Sequence, residues 1–259
     1  VLRRALASLP VSGFEVRISR VKKSGIDACD FDVVLDAAHE NHDHDMAYLY
    51  GHTAAHCHEH EHEHCHAHEH EHHHDHEHAV GGGIPDAPHD HHHDHEHHHH
   101  HEHRGLAEIL DILNHADLTD RARATAVRIF TILGEAEAKA HGATLDTVHF
   151  HEVGAVDSIV DITAAAVCLD NLGVDEVIIP VLYEGVGTIR CAHGILPVPV
   201  PAVANIAAAE HLNLHITGAK GEYVTPTGAA IAAAIRTGET LPQEFTVQKI
   251  GLGAGKREQ

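Results

Sequence analysis

No lysine or arginine occurs between residues 37 and 103, and over the whole chain 17 basic residues face 39 acidic ones. The formal net charge is −22 with histidine neutral, and the base-free stretch carries −15 of it. Nucleic-acid binding needs a basic patch, so that class is set aside. Long apolar runs are missing too: Asp157 and Asp161 break one, and the Ala-rich run at 229–235 is short. A membrane helix needs roughly 20 apolar residues, so none is expected. No secretory leader is visible, and Val1 is not an initiator methionine, so a missing or processed N-terminus is expected. Cysteine is sparse, with five residues (Cys29, Cys57, Cys65, Cys168 and Cys191) that are odd in number and widely spaced. That pattern gives no disulfide framework and points to a reducing cytoplasm. A phosphate-cradling loop for nucleotide hydrolysis is also lacking. Gly255-Lys256 is the nearest approach, but Ile250 stands where the first glycine belongs and Arg257 where Ser or Thr is needed.

Histidine is what the chain has in excess. Residues 39–103 hold 28 of its 35 histidines, together with fifteen carboxylates. Neutral imidazole is the commonest protein ligand for nickel, zinc and copper. From His56 to His72 a histidine occupies every second position: His56, His58, His60, His62, His64, His66, His68, His70 and His72. Cys57 and Cys65 stand among them as soft ligands. Beyond Gly81-Gly82-Gly83 and Pro85, a second lobe carries His91, His93, His95, His97 and His99. Such redundancy without fixed geometry suits a store or delivery arm, because a catalytic site needs few ligands held rigidly. The run is internal and mixed, unlike an expression tag. Ligand type leaves nickel, zinc and copper open. Hydrophobic periodicity disappears here, so residues 37–103 are expected to be a disordered metal-binding insertion. Residues 1–36 and 104–259 then form one domain.

In that domain Val1–Leu9 reads as a helix end stopped by Pro10. Gly13–Val21 and Ile26–Asp36 read as a hairpin joined by Lys22-Lys23-Ser24-Gly25. Helices are expected at Leu106–Leu113, Thr119–His141, Ala155–Leu172, Pro199–Ala209 and Pro226–Ile235. Strands are expected at Thr147–Val153, Glu176–Leu182 and Phe245–Ile250. The elements mix without strict alternation, which predicts an α+β fold with a mixed sheet packed against helices.

The most loaded stretch runs from Val148 to Ile162. On a strand, His149 and His151 share one face. Glu152 follows them, and Asp157 and Asp161 then lie four apart on a helix. These five residues form the candidate catalytic cluster, able to ligate a divalent ion or to move a proton. Asp157 near a helix start also suits the helix dipole alone. A second candidate is the capped helix start Thr225-Pro226-Thr227-Gly228, where Thr225, Thr227 and Gly228 could hold a phosphate. An ordinary capped helix has the same pattern. Gly187, in Glu184-Gly185-Val186-Gly187-Thr188, offers close backbone approach to a bound cofactor. Cys191 and His193 lie just beyond it, in a glycine-bounded stretch that ordinary turns also explain.

Five collinear blocks of this sequence resemble the LarC family of nickel-insertion proteins. They are Gly13-Phe14-Glu15-Val16 leading to Val21–Ile26, Val148–Asp161, Cys191–Pro199, Thr225–Ala230 and Gly251–Gly255. A variable His-rich insertion after the hairpin also fits that family. The resemblance implies a nickel chelatase or cyclometallase of the lyase class. Its substrate would be pyridinium-3,5-bisthiocarboxylic acid mononucleotide, and its product the nickel-pincer cofactor of lactate racemase-type enzymes. It implies CTP with manganese or magnesium, bound by a C-terminal domain that would follow Gln259 or be separately encoded. It also implies a strand and an acidic turn ahead of Val1, and a cytoplasmic homo-oligomer. The competing class is a non-catalytic nickel, zinc or copper store or metallochaperone.

Overall fold

The computed structural model describes residues 1–36, 104–148, 150, 155–191 and 193–255. The His-rich arm expected at 37–103 lies outside the described residues. All those described belong to one compact unit.

The chain opens with helix α1 (Leu2–Ala7), whose Leu6 is buried along with Leu9 just beyond it. Strands β1 (Phe14–Lys23) and β2 (Ile26–Leu35) then pair antiparallel, from Phe14 opposite Leu35 to Lys23 opposite Ile26. The connection is shorter than the four residues expected. Lys22 and Lys23 belong to the strand, and only Ser24 (φ 50°) and Gly25 (φ 81°) turn the chain. Two successive positive φ angles make a primed turn, whose twist matches that of the paired strands.

Helix α2 (Leu106–His115) buries Leu106, Ile109 and Leu113, one apolar stripe at helical spacing. Its start is closed by Glu108, whose carboxylate accepts the Gly105 N–H at 2.9 Å. Helix α3 (Asp120–His141) is capped by Thr119, which accepts the Ala122 N–H at 3.1 Å, and ends at Gly142 in the left-handed region. The six apolar residues that announce this helix in the sequence (Ala122, Ala126, Ile129, Phe130, Leu133 and Ala136) are all buried. Helix α4 (Val156–Asn171) follows, and α5 (Pro201–Ala209) and α6 (Pro226–Ile235) each begin on proline. Helix α3 is the axis of the packing and touches α2, α4, α5 and α6. At Gly134 a Cβ would stand 3.0 Å from Leu145 Cδ1 and 3.1 Å from Phe150 Cζ, so the missing side chain admits the Phe150 ring.

The strands form three small sheets, not one mixed sheet. In the first, β7 (Gly253–Ala254) adds parallel to β2. The second pairs β3 (Leu182–Val186) with β6 (Leu214–Lys220) in parallel, with an irregularity between Glu184 and Val186. The third is the hairpin of β4 (Thr188–Cys191) and β5 (Gly194–Pro197). The α+β class therefore holds, but three strand positions need correction. Thr147, Val148 and Phe150 are not in a strand. Thr147 and Val148 instead close a turn on the Thr144 carbonyl, while Val148 and Phe150 are buried. Residues 176–181 contribute only an isolated bridge, Ile178 to Gly238, and the strand begins at Leu182. Phe245, Val247 and Ile250 are exposed in irregular chain, and the pairing falls at Gly253–Ala254. The core draws Leu6, Leu9, Phe14 and Val16 from one side of the His-rich stretch and all the later helices from the other.

Candidate functional site

The first predicted cluster is split by what the structure describes. His149, His151 and Glu152 lie outside the described residues, as do the arm's His56–His72, Cys57, Cys65 and His91–His99 ligands. Their anchor is visible: Phe150 is buried, and its N–H donates to the Arg104 carbonyl at 3.3 Å. Asp157 occupies the first turn of α4, half-buried, and its Oδ1 accepts the Ser158 N–H at 2.8 Å. No side chain caps that helix at Ala155, so the Asp157 charge meets the positive end of the dipole. Asp161 follows one turn later on the exposed side. Among the described residues no three His, Cys, Asp or Glu side chains already stand at metal-holding geometry.

The second predicted site contains a carboxylate. Thr225 caps α6 by accepting the Gly228 N–H at 3.1 Å, and Pro226 has no N–H to offer. Against the two residues that precede this cap, Glu184 is fully buried. Its Oε1 accepts N–H groups from Gly185 (2.7 Å), Tyr223 (2.8 Å) and Val224 (3.3 Å). Its Oε2 is buried with no hydrogen-bond partner among the described residues. The backbone amides leading into the helix thus already hold an anion belonging to the protein. Gly185 makes this possible: a Cβ there would stand 2.0 Å from the Gly221 carbonyl oxygen. Thr227 is half-buried, and Gly187 (φ 102°) turns the chain from β3 into β4. Sequence reasoning passed over Glu184, since a lone glutamate among glycines gives no hint of burial.

A third grouping joins residues that the sequence kept apart. The β4–β5 tip carries Cys191 and His193, with Cys191 Sγ 3.9 Å from His193 Nδ1. The His193 ring lies against that of His141, centroids 4.9 Å apart and tilted by 48°. His141 ends α3 and faces Glu137 one turn earlier, Nε2 to Oε2 3.7 Å. Cys191 and His193 were visible as a close Cys–His pair. Nothing in the linear pattern tied them to a histidine fifty residues upstream.

The sequence profile of the nickel insertion protein family matches residues 1–259. The chain is 47% identical over 259 residues, all of it and 51% of the relative, to a pyridinium-3,5-bisthiocarboxylic acid mononucleotide nickel insertion protein of Alkaliphilus metalliredigens. A putative nickel insertion protein of Geobacter sp. (strain M21) is 36% identical over 258 residues, again the whole chain and 51% of the relative. One of Pelobacter propionicus is 48% identical over 155 residues, 60% of the chain and 39% of the relative. The chain spans about half the length of the curated relatives that it matches throughout. No solved structure matches it. With the profile matched from the first residue to the last and a relative 47% identical along the whole chain, the chain belongs to the nickel insertion protein family.

Proposed function

We propose that this chain takes part in inserting nickel(II) into pyridinium-3,5-bisthiocarboxylic acid mononucleotide, a chelatase or cyclometallase reaction of the lyase class. The observation that carries the proposal is similarity, along all of this chain and about half of the relative, to a protein named for that substrate. Nickel replaces one ring proton to form a carbon–nickel bond, and the two thiocarboxylate sulfurs complete the pincer. Such chemistry needs a base for the departing proton and a supply of soft-to-borderline metal. His149, His151, Glu152, Asp157 and Asp161 are the residues proposed for proton removal and metal placement. Thr225, Thr227, Gly228 and Gly187 are proposed for the substrate's nucleotide end, with Glu184 fixing the backbone beside them. CTP and manganese or magnesium belong to the proposed reaction, bound by a further domain in the same chain or a separate one. The product serves lactate racemase-type enzymes in the cytoplasm, and the working unit is a homo-oligomer.

Incubating the protein with nickel, CTP, manganese and the bisthiocarboxylated mononucleotide tests this, with the full-length form as reference. A product heavier by one nickel less one proton, seen by mass spectrometry, is the expected result. Absence of that product from both would overturn the proposal. The His-rich stretch favours a second function, metal storage and delivery. Replacing residues 37–103 by a short Gly/Ser linker separates the two: a store loses its role, whereas a cyclometallase still turns over when nickel is plentiful.

A further inference from the structure

We propose that Cys191, His193 and His141 form a nickel-receiving site on the folded body, where the tip of the β4–β5 hairpin meets the C-terminal end of α3. The three come from two elements distant in sequence, and the ring contact between His141 and His193 shows that the elements meet through these side chains. A thiolate with imidazoles is a donor set that selects nickel, zinc or copper over magnesium, calcium or manganese. Geometry agrees. A first-row divalent ion sits about 2.3 Å from thiolate sulfur and about 2.0 Å from imidazole nitrogen, placing the two donors about 3.5 Å apart at a tetrahedral angle. Cys191 Sγ and His193 Nδ1 stand 3.9 Å apart. His193, exposed at a turn, has to move closer to Cys191 for both to ligate one ion. His141, with 35% of its side chain exposed, lies next to the His193 ring. Glu137 stands behind His141 as the carboxylate that commonly orients a ligating imidazole.

No three of these groups are yet at ligating geometry, so the site is grouped but not closed. That suits cargo. A resident structural metal takes four protein ligands and stays. An ion to be handed on needs fewer, with open positions for the incoming sulfurs of a thiocarboxylate. All three residues lie outside the His-rich stretch in sequence, and only the choice of nickel over zinc or copper rests on the proposed function.

The test uses the full 259-residue chain carrying Cys57→Ser and Cys65→Ser, so that the arm has no thiol. Nickel(II) alone is titrated at pH 7.5 and the thiolate-to-nickel charge-transfer absorption in the near ultraviolet is followed. One equivalent producing this band is expected, although the arm binds further equivalents through nitrogen and oxygen. Adding Cys191→Ser abolishes the band, His193→Ala or His141→Ala weakens affinity at least tenfold, and Cys168→Ser leaves the band intact. Circular dichroism of each variant verifies the fold. Absence of the band in the parent, or its survival in the Cys191→Ser protein, would overturn the site. Product formation in the mass assay without this band leaves the insertion activity standing and sinks the site; the band without product does the reverse.

Discussion

Glu184 brings a full carboxylate into a place that solvent does not reach, and three backbone amides from two segments converge on one of its oxygens. Each buried N–H left without an acceptor costs about 1–3 kcal/mol. Two of the three, from Gly185 and Val224, are buried, so Glu184→Ala is expected to lower stability by at least about 2 kcal/mol in urea unfolding. Glu184→Gln keeps an acceptor oxygen but gives up the charge, and charge-assisted bonds are roughly twice as strong as neutral ones. An intermediate loss is expected; a Gln variant as stable as the parent would show that the charge contributes nothing. Cys168 offers a second test on single groups. Although the residue is exposed, partial desolvation of its sulfur, with the Cys29 charge as a lesser cause, pushes its pKa up. Less thiolate is present at any given pH, so its alkylation by iodoacetamide should reach half-maximal rate at a higher pH than that of an unfolded peptide thiol. Peptide mass mapping reads this directly. A midpoint at or below that of the free thiol would contradict it.

Among the elements, α3 was legible almost residue for residue, because its apolar stripe, its Thr119 cap and its terminal Gly142 all state the same helix. Thr119→Ala should cost about 1 kcal/mol, measured as a fall in Tm. Gly134→Ala tests a different property of the same helix. Added propensity would favour alanine, but the new methyl meets Leu145 and Phe150 within 3.1 Å. Overpacking of this kind costs about 1–3 kcal/mol, so a net loss is expected and a gain would refute the close approach. The strands were read less well, for physical reasons. Leu214–Lys220 contains Gly218 and exposes four of its seven residues, so no clear alternation announces it. Phe245–Ile250 has the composition of a strand but no strand partner among the described residues, and its large side chains are exposed. Pairing is a property of two segments, and one segment's composition cannot report it.

For the molecule as a whole, the core draws on residues from both sides of 37–103. Replacing that stretch by a short linker should leave cooperative unfolding and Tm within a few degrees of the parent. A collapse of the transition would show that the stretch contributes to folding. Metal capacity should behave oppositely. Ligation needs neutral imidazole, so nickel taken up in equilibrium dialysis should fall steeply below about pH 6.5 for the whole chain. The linker variant should show a far smaller capacity throughout. The arm's chemistry was plain in the sequence because it depends on composition alone. The Cys191–His193–His141 grouping was not, because it exists only once a hairpin tip folds over the end of a helix.

The hydrogen bond from Phe150 to Arg104 has a kinetic consequence. Arg104 directly follows His103, the last histidine of the arm, and Phe150 is flanked in the chain by His149 and His151. By sequence alone, His103 is one residue from one end of this bond, and His149 and His151 are each one residue from the other. Under the proposed function, nickel passing from the His-rich stretch to that pair stays within one chain. Exchange along such a chain is intramolecular, and its rate should not change on diluting the protein.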